Sequence, residues 1–165
     1  MVDKQYLGLY SLCEELSQNC MEIIQLAGGD LHMLDLNELG NGFPAITPAF
    51  GKALAEAGAI CLDSQGHEQG VLLQVQGDHN SRYSLAWPAV TGQMQKCWND
   101  LDVATEHGAI GIAILLIKKV IGHAPIQRSR KGTGFDYWMG DDSPMPFQSK
   151  ARLEISRIRH GATTT

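Results

Sequence analysis

The spacing of apolar residues predicts helices in the first third of the chain. Apolar side chains recur at intervals of three and four over residues 6–26, which is typical of an amphipathic helix. Residues 48–62 predict a second helix, because Thr47 can cap its N-terminus and Pro48 suits a first helical turn.

A connection and a β-hairpin are predicted around these helices. Residues 31–47 are rich in glycine, asparagine and proline, so we expect a connecting loop with a short helical turn around residues 34–39. Apolar and polar residues alternate over 71–75 and again over 83–87, and a polar turn at 77–80 separates them. This pattern is typical of two antiparallel strands.

The second half of the chain predicts one long helix followed by three strands. Residues 102–121 form the most apolar stretch, and Gly122 is a natural helix end. Short strands are expected over residues 124–128, 135–139 and 147–155.

Composition favours one ordinary globular domain spanning residues 1–165. The 165-residue chain is 44% hydrophobic and 19% charged, and its formal net charge is −5. We expect a mainly helical front with the hairpin over 1–98 and a helix-plus-sheet core over 99–159. The net charge argues against a non-specific nucleic-acid coat, but lysine and arginine are concentrated in the last third.

Cysteine usage and hydropathy predict a cytoplasmic protein with no membrane partner. None of the cysteines forms a C-x-x-C pair, so free thiols in a reducing compartment are expected at Cys13, Cys20, Cys61 and Cys97. No apolar run approaches the roughly 18 residues that a membrane span needs, and no secretory signal pattern is recognised.

Candidate chemistry begins with Asp136. Gly132 and Gly134 free the backbone just before it. If Phe135 and Tyr137 face the core, strand alternation places Asp136 and Trp138 on the opposite face. An ordinary exposed strand acid is the alternative.

Two further acids can join Asp136. Alternation places one polar set on a single face of the last strand: Lys150, Arg152, Glu154 and Ser156. If the last two strands pair, Glu154 comes within metal-bridging reach of Asp136. Glu106 lies in the first turn of the long helix, where an acid also simply favours the helix dipole. Three converging carboxylates would repel one another unless a divalent cation lay among them.

This order of elements resembles the PD-(D/E)XK nuclease-like superfamily. The resemblance covers residues 102–156 and consists of Glu106 on a helix, a strand, a strand carrying Gly134-x-Asp136, and Glu154 on the next strand. It implies an α+β or α/β fold in which the helical front and its hairpin pack on a restriction-endonuclease-like core. Residues 129–138 and 150–154 are also similar to a group of uncharacterised bacterial proteins, which supplies no activity.

The resemblance implies metal-dependent cleavage of DNA or RNA phosphodiesters. Asp136 and Glu154 would hold Mg²⁺ or Mn²⁺ together with the Ile155 carbonyl, and Glu106 would assist. The superfamily places a lysine where this chain has Ser156. Lys131, in the glycine-rich segment, and Lys150 are the candidate substitutes.

A non-enzymatic interaction protein that kept the fold is the alternative, with a protein or nucleic-acid partner. A cationic group formed by Arg128, Arg130, Lys131 and Arg152 either contacts a phosphate backbone or is a solvated strand end. Superfamily members usually continue with a further helix and strand, whereas nine residues follow Ser156 here. The front helices or a homo-oligomer could then cover the sheet edge.

Overall fold

A computed structural model describes residues 31–75, 81–141 and 151–156. The chain forms β1 (His32–Asp35), a 3₁₀ helix (Leu36–Asn41), α1 (Pro48–Ser64), β2 (Leu72–Val75), β3 (Ser81–Ala86), α2 (Gly92–Cys97), α3 (Leu101–Ile121), β4 (Ala124–Arg128), β5 (Tyr137–Gly140) and β6 (Ala151–Leu153). Helices and two small sheets give the expected α+β class. The helix predicted over residues 6–26, Cys13, Cys20 and Lys150 lie outside the described residues.

The first sheet has the strand order β1-β3-β2. The two strands of the predicted hairpin are confirmed, because β2 and β3 pair antiparallel with Leu73 opposite Tyr83, while the predicted turn over 77–80 lies outside the described residues. The loop expected over residues 31–47 is wrong at its start, where β1 pairs parallel with β3 and places Leu34 opposite Leu85. A four-residue strand whose partner lies far along the chain leaves little local pattern to recognise.

Capping residues mark both ends of α3 and the start of α1, and two of them, Thr47 and Gly122, were predicted from the sequence. The Thr47 hydroxyl accepts a 3.2 Å hydrogen bond from the Phe50 N–H, and Pro48 occupies the first turn of α1. The Asp100 side chain caps α3, and Gly122 ends it in the left-handed conformation with φ 73°. These contacts satisfy backbone groups that a helix end otherwise leaves unpaired.

Glycines allow α1, α3 and the 3₁₀ helix to approach closely. A Cβ atom added at Gly108 of α3 would lie 2.9 Å from the Gly58 Cα of α1. One added at Gly51 would lie 1.8 Å from the Leu39 carbonyl oxygen. A residue with a Cβ atom therefore does not fit at Gly51 or Gly108 in this packing.

One hydrophobic core joins the front of the chain to the second sheet. It contains Leu34 of β1, Leu54 of α1, Ile114 of α3, Tyr137 of β5 and Leu153 of β6. None of the helices in the described ranges has the length and hydropathy that crossing a membrane would require.

The second sheet, with the strand order β4-β5-β6, is antiparallel throughout. Trp138 of the central strand lies opposite Gln127 on β4 and Arg152 on β6. The predicted strand over 124–128 is confirmed. The strand expected over 135–139 begins only at Tyr137, and the last described strand ends at Leu153, before Glu154.

Candidate functional site

The glycine-rich segment before β5 is a loop closed by its own hydrogen bonds. Gly132 and Gly134 adopt φ values of 92° and 77°, which side-chain-bearing residues rarely reach. The Thr133 hydroxyl donates to the Arg130 carbonyl at 2.8 Å, and the Thr133 N–H approaches the same oxygen at 3.3 Å. The loop therefore holds Lys131 at an exposed tip.

Asp136 follows this loop and precedes β5. Its hydrogen bonds connect the ends of the three strands at one end of the sheet. Its carbonyl accepts from the Ser129 N–H at 2.9 Å, and its N–H donates to the Leu153 carbonyl at 2.7 Å. Its side-chain Oδ2 accepts from the Ile155 N–H at 2.7 Å. The half-buried carboxylate thus lies against the peptide that joins Glu154 to Ile155.

Glu154 follows the end of β6 instead of lying within a strand as expected. The predicted alternation is nevertheless confirmed, since Arg152 and Glu154 are exposed whereas Leu153 is buried. Ser156 is exposed as well. The structure therefore brings Asp136 against the backbone of the second predicted metal ligand.

Glu106 does not join the other two acids. It is an exposed residue of α3. Among residues 31–75, 81–141 and 151–156, no group of three or more His, Cys, Asp or Glu side chains lies close enough to hold a metal ion. The three-carboxylate arrangement expected from the sequence is therefore not formed by these residues.

An aromatic–cation cluster covers the outer face of the second sheet beside Asp136. The Phe135 and Trp138 rings meet edge to face, with centroids 4.7 Å apart and planes at 78°. The Arg152 Cζ lies 5.2 Å from the Phe135 centroid and 5.3 Å from the Trp138 centroid. We call Phe135, Trp138 and Arg152 the Arg152 stack.

Phe135 does not lie on the same face as Tyr137, contrary to the prediction from the sequence. Alternation predicted that Phe135 and Tyr137 share one face, but only Tyr137 is buried, at 1% exposure, whereas Phe135 is half-buried. Because regular strand geometry begins at Tyr137, alternation does not extend back to Phe135. The Phe135 ring is therefore available to pack on Trp138.

Four cations surround this end of the sheet, and all are exposed: Arg128, Arg130, Lys131 and Arg152. Arg128 ends β4 opposite Tyr137, and the next two lie in the loop that leads to Asp136. The residues of the predicted cationic group thus lie on strands and on a loop that adjoin Asp136. Exposed positive charges at one end of a sheet favour an anionic ligand.

Tyr137 is buried next to Asp136, and the pKa of its phenol is shifted. Burial raises the pKa of Tyr137 above its ordinary value of 10.0; the nearby Arg128 charge opposes this effect and Asp136 adds to it. Within the described parts of the chain, the buried hydroxyl has no hydrogen-bond partner. An unpaired buried hydroxyl is a cost to stability that the native core tolerates here.

A second polar cluster, which the sequence did not indicate, lies between the helices. The Trp98 Nε1–H donates to the Glu56 carboxylate at 3.2 Å. The His107 ring lies 5.5 Å from the Trp98 ring and 6.4 Å from the Phe50 ring. No spacing in the sequence links these residues, because they come from different helices. Their contacts fasten α2 to α1 and α3.

Comparison with known proteins finds no protein family, curated protein or solved structure that matches this chain.

Proposed function

We propose that this protein binds DNA or RNA beside the loop of residues 129–136 and cleaves phosphodiesters with a divalent metal ion held by Asp136 and Glu154. The observation that carries this proposal is the 2.7 Å hydrogen bond from the Ile155 N–H to the Asp136 carboxylate. It supports the proposal because it fixes one acid against the peptide that follows Glu154. A restriction-endonuclease-like core and a cytoplasmic location belong to the same proposal.

The donor atoms suit Mg²⁺ or Mn²⁺. Both ions prefer oxygen ligands, and Mg²⁺ is commonly held by one or two carboxylates together with substrate phosphates. Asp136, Glu154 and the Ile155 carbonyl would supply such oxygens. The auxiliary role of Glu106 stays a prediction, because the described residues do not unite it with this pair.

Each part of the site has a separate task in this proposal. A bound divalent ion supplies activation of water and stabilisation of charge on the phosphate. Arg128, Arg130 and Lys131 hold the polynucleotide by its phosphates and fix its position. Lys131 lies at the tip of a closed loop. Among the lysines in the described part of the chain, it is therefore the one best placed to face the scissile phosphate.

Binding without cleavage is the second candidate function. Ser156 stands where the nuclease-like superfamily places a lysine, and a serine has no charge to offer the phosphate. This difference favours a protein that keeps the nucleic-acid surface and has lost turnover.

A cleavage assay separates the two candidates. Purified protein is incubated with plasmid DNA, single-stranded DNA and RNA in Mg²⁺ or Mn²⁺, and Asp136→Asn and Glu154→Gln are compared with wild type. Loss of a metal ligand should reduce cleavage by at least about tenfold to a hundredfold, the usual cost of losing only a residue that hydrogen-bonds a ligand. Glu68→Gln, at an exposed glutamate of the first half, is the matched control and should cleave as wild type does.

Two results would count against cleavage at this site. Activity that survives both Asp136→Asn and Glu154→Gln would place the chemistry elsewhere. Binding of the same substrates by wild type without any metal-dependent cleavage would leave the second candidate.

A further inference from the structure

We propose that the Arg152 stack binds an unpaired base, so that the preferred ligand is a single-stranded polynucleotide. This inference rests on the proposed nucleic-acid binding and adds the class of substrate to it. It does not require that the bound strand be cleaved.

The geometry of the stack presents a guanidinium for base stacking. The Arg152 Cζ and the two ring centroids form a triangle with sides of 4.7, 5.2 and 5.3 Å. The guanidinium carbon lies over both rings, and Arg152 remains an exposed residue. Proteins stack unpaired bases on aromatic rings and on arginine guanidinium planes, so an exposed arginine held in this way suits a base.

The two rings also prepare Arg152 for binding. A free arginine side chain loses much rotational freedom when a ligand orders it. Here cation–π contacts with Phe135 and Trp138 already restrict the side chain. A base that stacks on it therefore meets a smaller entropic cost, which raises affinity.

The surrounding charges identify the rest of the ligand. Arg128, Arg130 and Lys131 lie along the neighbouring strand end and loop, and all three are exposed. Phosphates of a polynucleotide complement these charges, while its base complements the stack. In a duplex each base face is already covered by its neighbours, so only an unpaired base offers its face to Arg152.

Arginine and lysine differ in the property that matters here. Lysine keeps the positive charge of Arg152 but has no planar group on which a base can stack. Arg152→Lys therefore removes stacking and preserves charge. Arg82→Lys is the matched control, because Arg82 is an exposed arginine on β3 of the other sheet.

The test is fluorescence anisotropy with a labelled single-stranded oligothymidine and with a labelled duplex, in EDTA so that no metal-dependent cleavage occurs. Arg152→Lys should weaken single-strand binding by about fivefold to a hundredfold. It should leave duplex binding within about twofold, since the charge is retained. Phe135→Leu should weaken single-strand binding in the same direction because it releases the guanidinium, and Arg82→Lys should change neither affinity.

This experiment tests base stacking on Arg152 separately from nucleic-acid binding. Single-strand binding that is unchanged by Arg152→Lys, or a parallel loss of single-strand and duplex binding, would overturn the base-stacking role and leave nucleic-acid binding standing. Failure of wild type to bind either oligonucleotide at low salt, both in EDTA and with Mn²⁺ and non-cleavable phosphorothioate oligonucleotides, would overturn both.

Discussion

The carboxylate of Asp136 accepts a 2.7 Å hydrogen bond from the backbone N–H of Ile155. The acid at the start of β5 is thereby fixed beside the end of β6, next to Glu154. The contact pairs a partly buried N–H, and it also places the two candidate metal ligands in neighbouring segments. Substitutions at Asp136 can separate these two roles.

Replacing Asp136 should affect stability according to what hydrogen bonding the new side chain retains. Asp136→Ala leaves the Ile155 N–H without its acceptor and should lower the free energy of unfolding by about 1–3 kcal/mol. Asp136→Asn keeps an amide oxygen that can accept this bond, so its loss should stay below about 1 kcal/mol. Urea denaturation measures both, and equal losses would contradict a structural role for this hydrogen bond.

The crossing of α1 and α3 should not tolerate a methyl group at Gly108. The added Cβ would lie 2.9 Å from the Gly58 Cα, so Gly108→Ala should cost about 1–3 kcal/mol through forced separation of the helices. Gly92→Ala is the control, since a Cβ there meets no atom within 4 Å at the start of α2. That variant should be neutral or gain up to about 1 kcal/mol, because alanine favours a helix.

Thermal or urea denaturation of these two glycine variants provides the comparison. A Gly108→Ala protein as stable as Gly92→Ala would mean that the two helices do not meet at these glycines.

Removing the hydroxyl of Tyr137 should change how stability depends on alkaline pH. Because burial raises the pKa of Tyr137 in the folded state, the unfolded chain ionises first once the pH passes 10.0. The contribution of the Tyr137 hydroxyl to the free energy of unfolding is therefore complete below that pH. It is lost as the pH rises towards the folded-state pKa. Tyr137→Phe has no such group and should lose less stability between about pH 8 and about pH 11.

The same variant has a second expected effect near neutral pH. The Tyr137 hydroxyl is unpaired within the described residues, so Tyr137→Phe should be neutral or more stable than wild type by about 1 kcal/mol. Urea denaturation of both proteins at about pH 8 and at about pH 11 measures both effects. A wild type and a Tyr137→Phe protein with parallel losses would contradict the raised pKa.

Loop cations should set the salt dependence of nucleic-acid binding. Arg130→Ala and Lys131→Ala each remove one exposed positive charge, and each should reduce the slope of log affinity against log salt by about 0.7 for a single strand. Lys52→Ala removes an exposed lysine of α1 and serves as the control. Slopes from anisotropy titrations that stay unchanged in both loop variants would place the phosphates elsewhere.

Local patterns predicted the elements whose signals lie within one segment of chain. The caps at Thr47 and Gly122 and the alternation on β2 and β3 belong to this class, and the structure confirms them. Strand β1 was missed, because only its pairing with the distant β3 makes it a strand. Alternation also failed at Phe135, which precedes the first regularly paired residue of β5.

The candidate site could be predicted in part for the same reason. The sequence predicted Asp136 and Glu154 on neighbouring strands, and in the structure they adjoin the paired ends of β5 and β6. The hydrogen bond to Ile155 and the triangle of Phe135, Trp138 and Arg152 depend on side-chain directions at the end of the sheet. Glu106 illustrates the limit, since a position in the first turns of a helix does not determine which strand end that residue faces.

The most direct measurement of a shared metal site is the titration of full-length protein with Mn²⁺, followed by electron paramagnetic resonance in the presence of a non-cleavable phosphorothioate oligonucleotide. Wild type should bind Mn²⁺, and Asp136→Asn and Glu154→Gln should each weaken that binding by at least about tenfold to a hundredfold. Glu68→Gln should bind as wild type does. Mn²⁺ binding that is absent from wild type, or unchanged in both site variants, would contradict a metal held by Asp136 and Glu154.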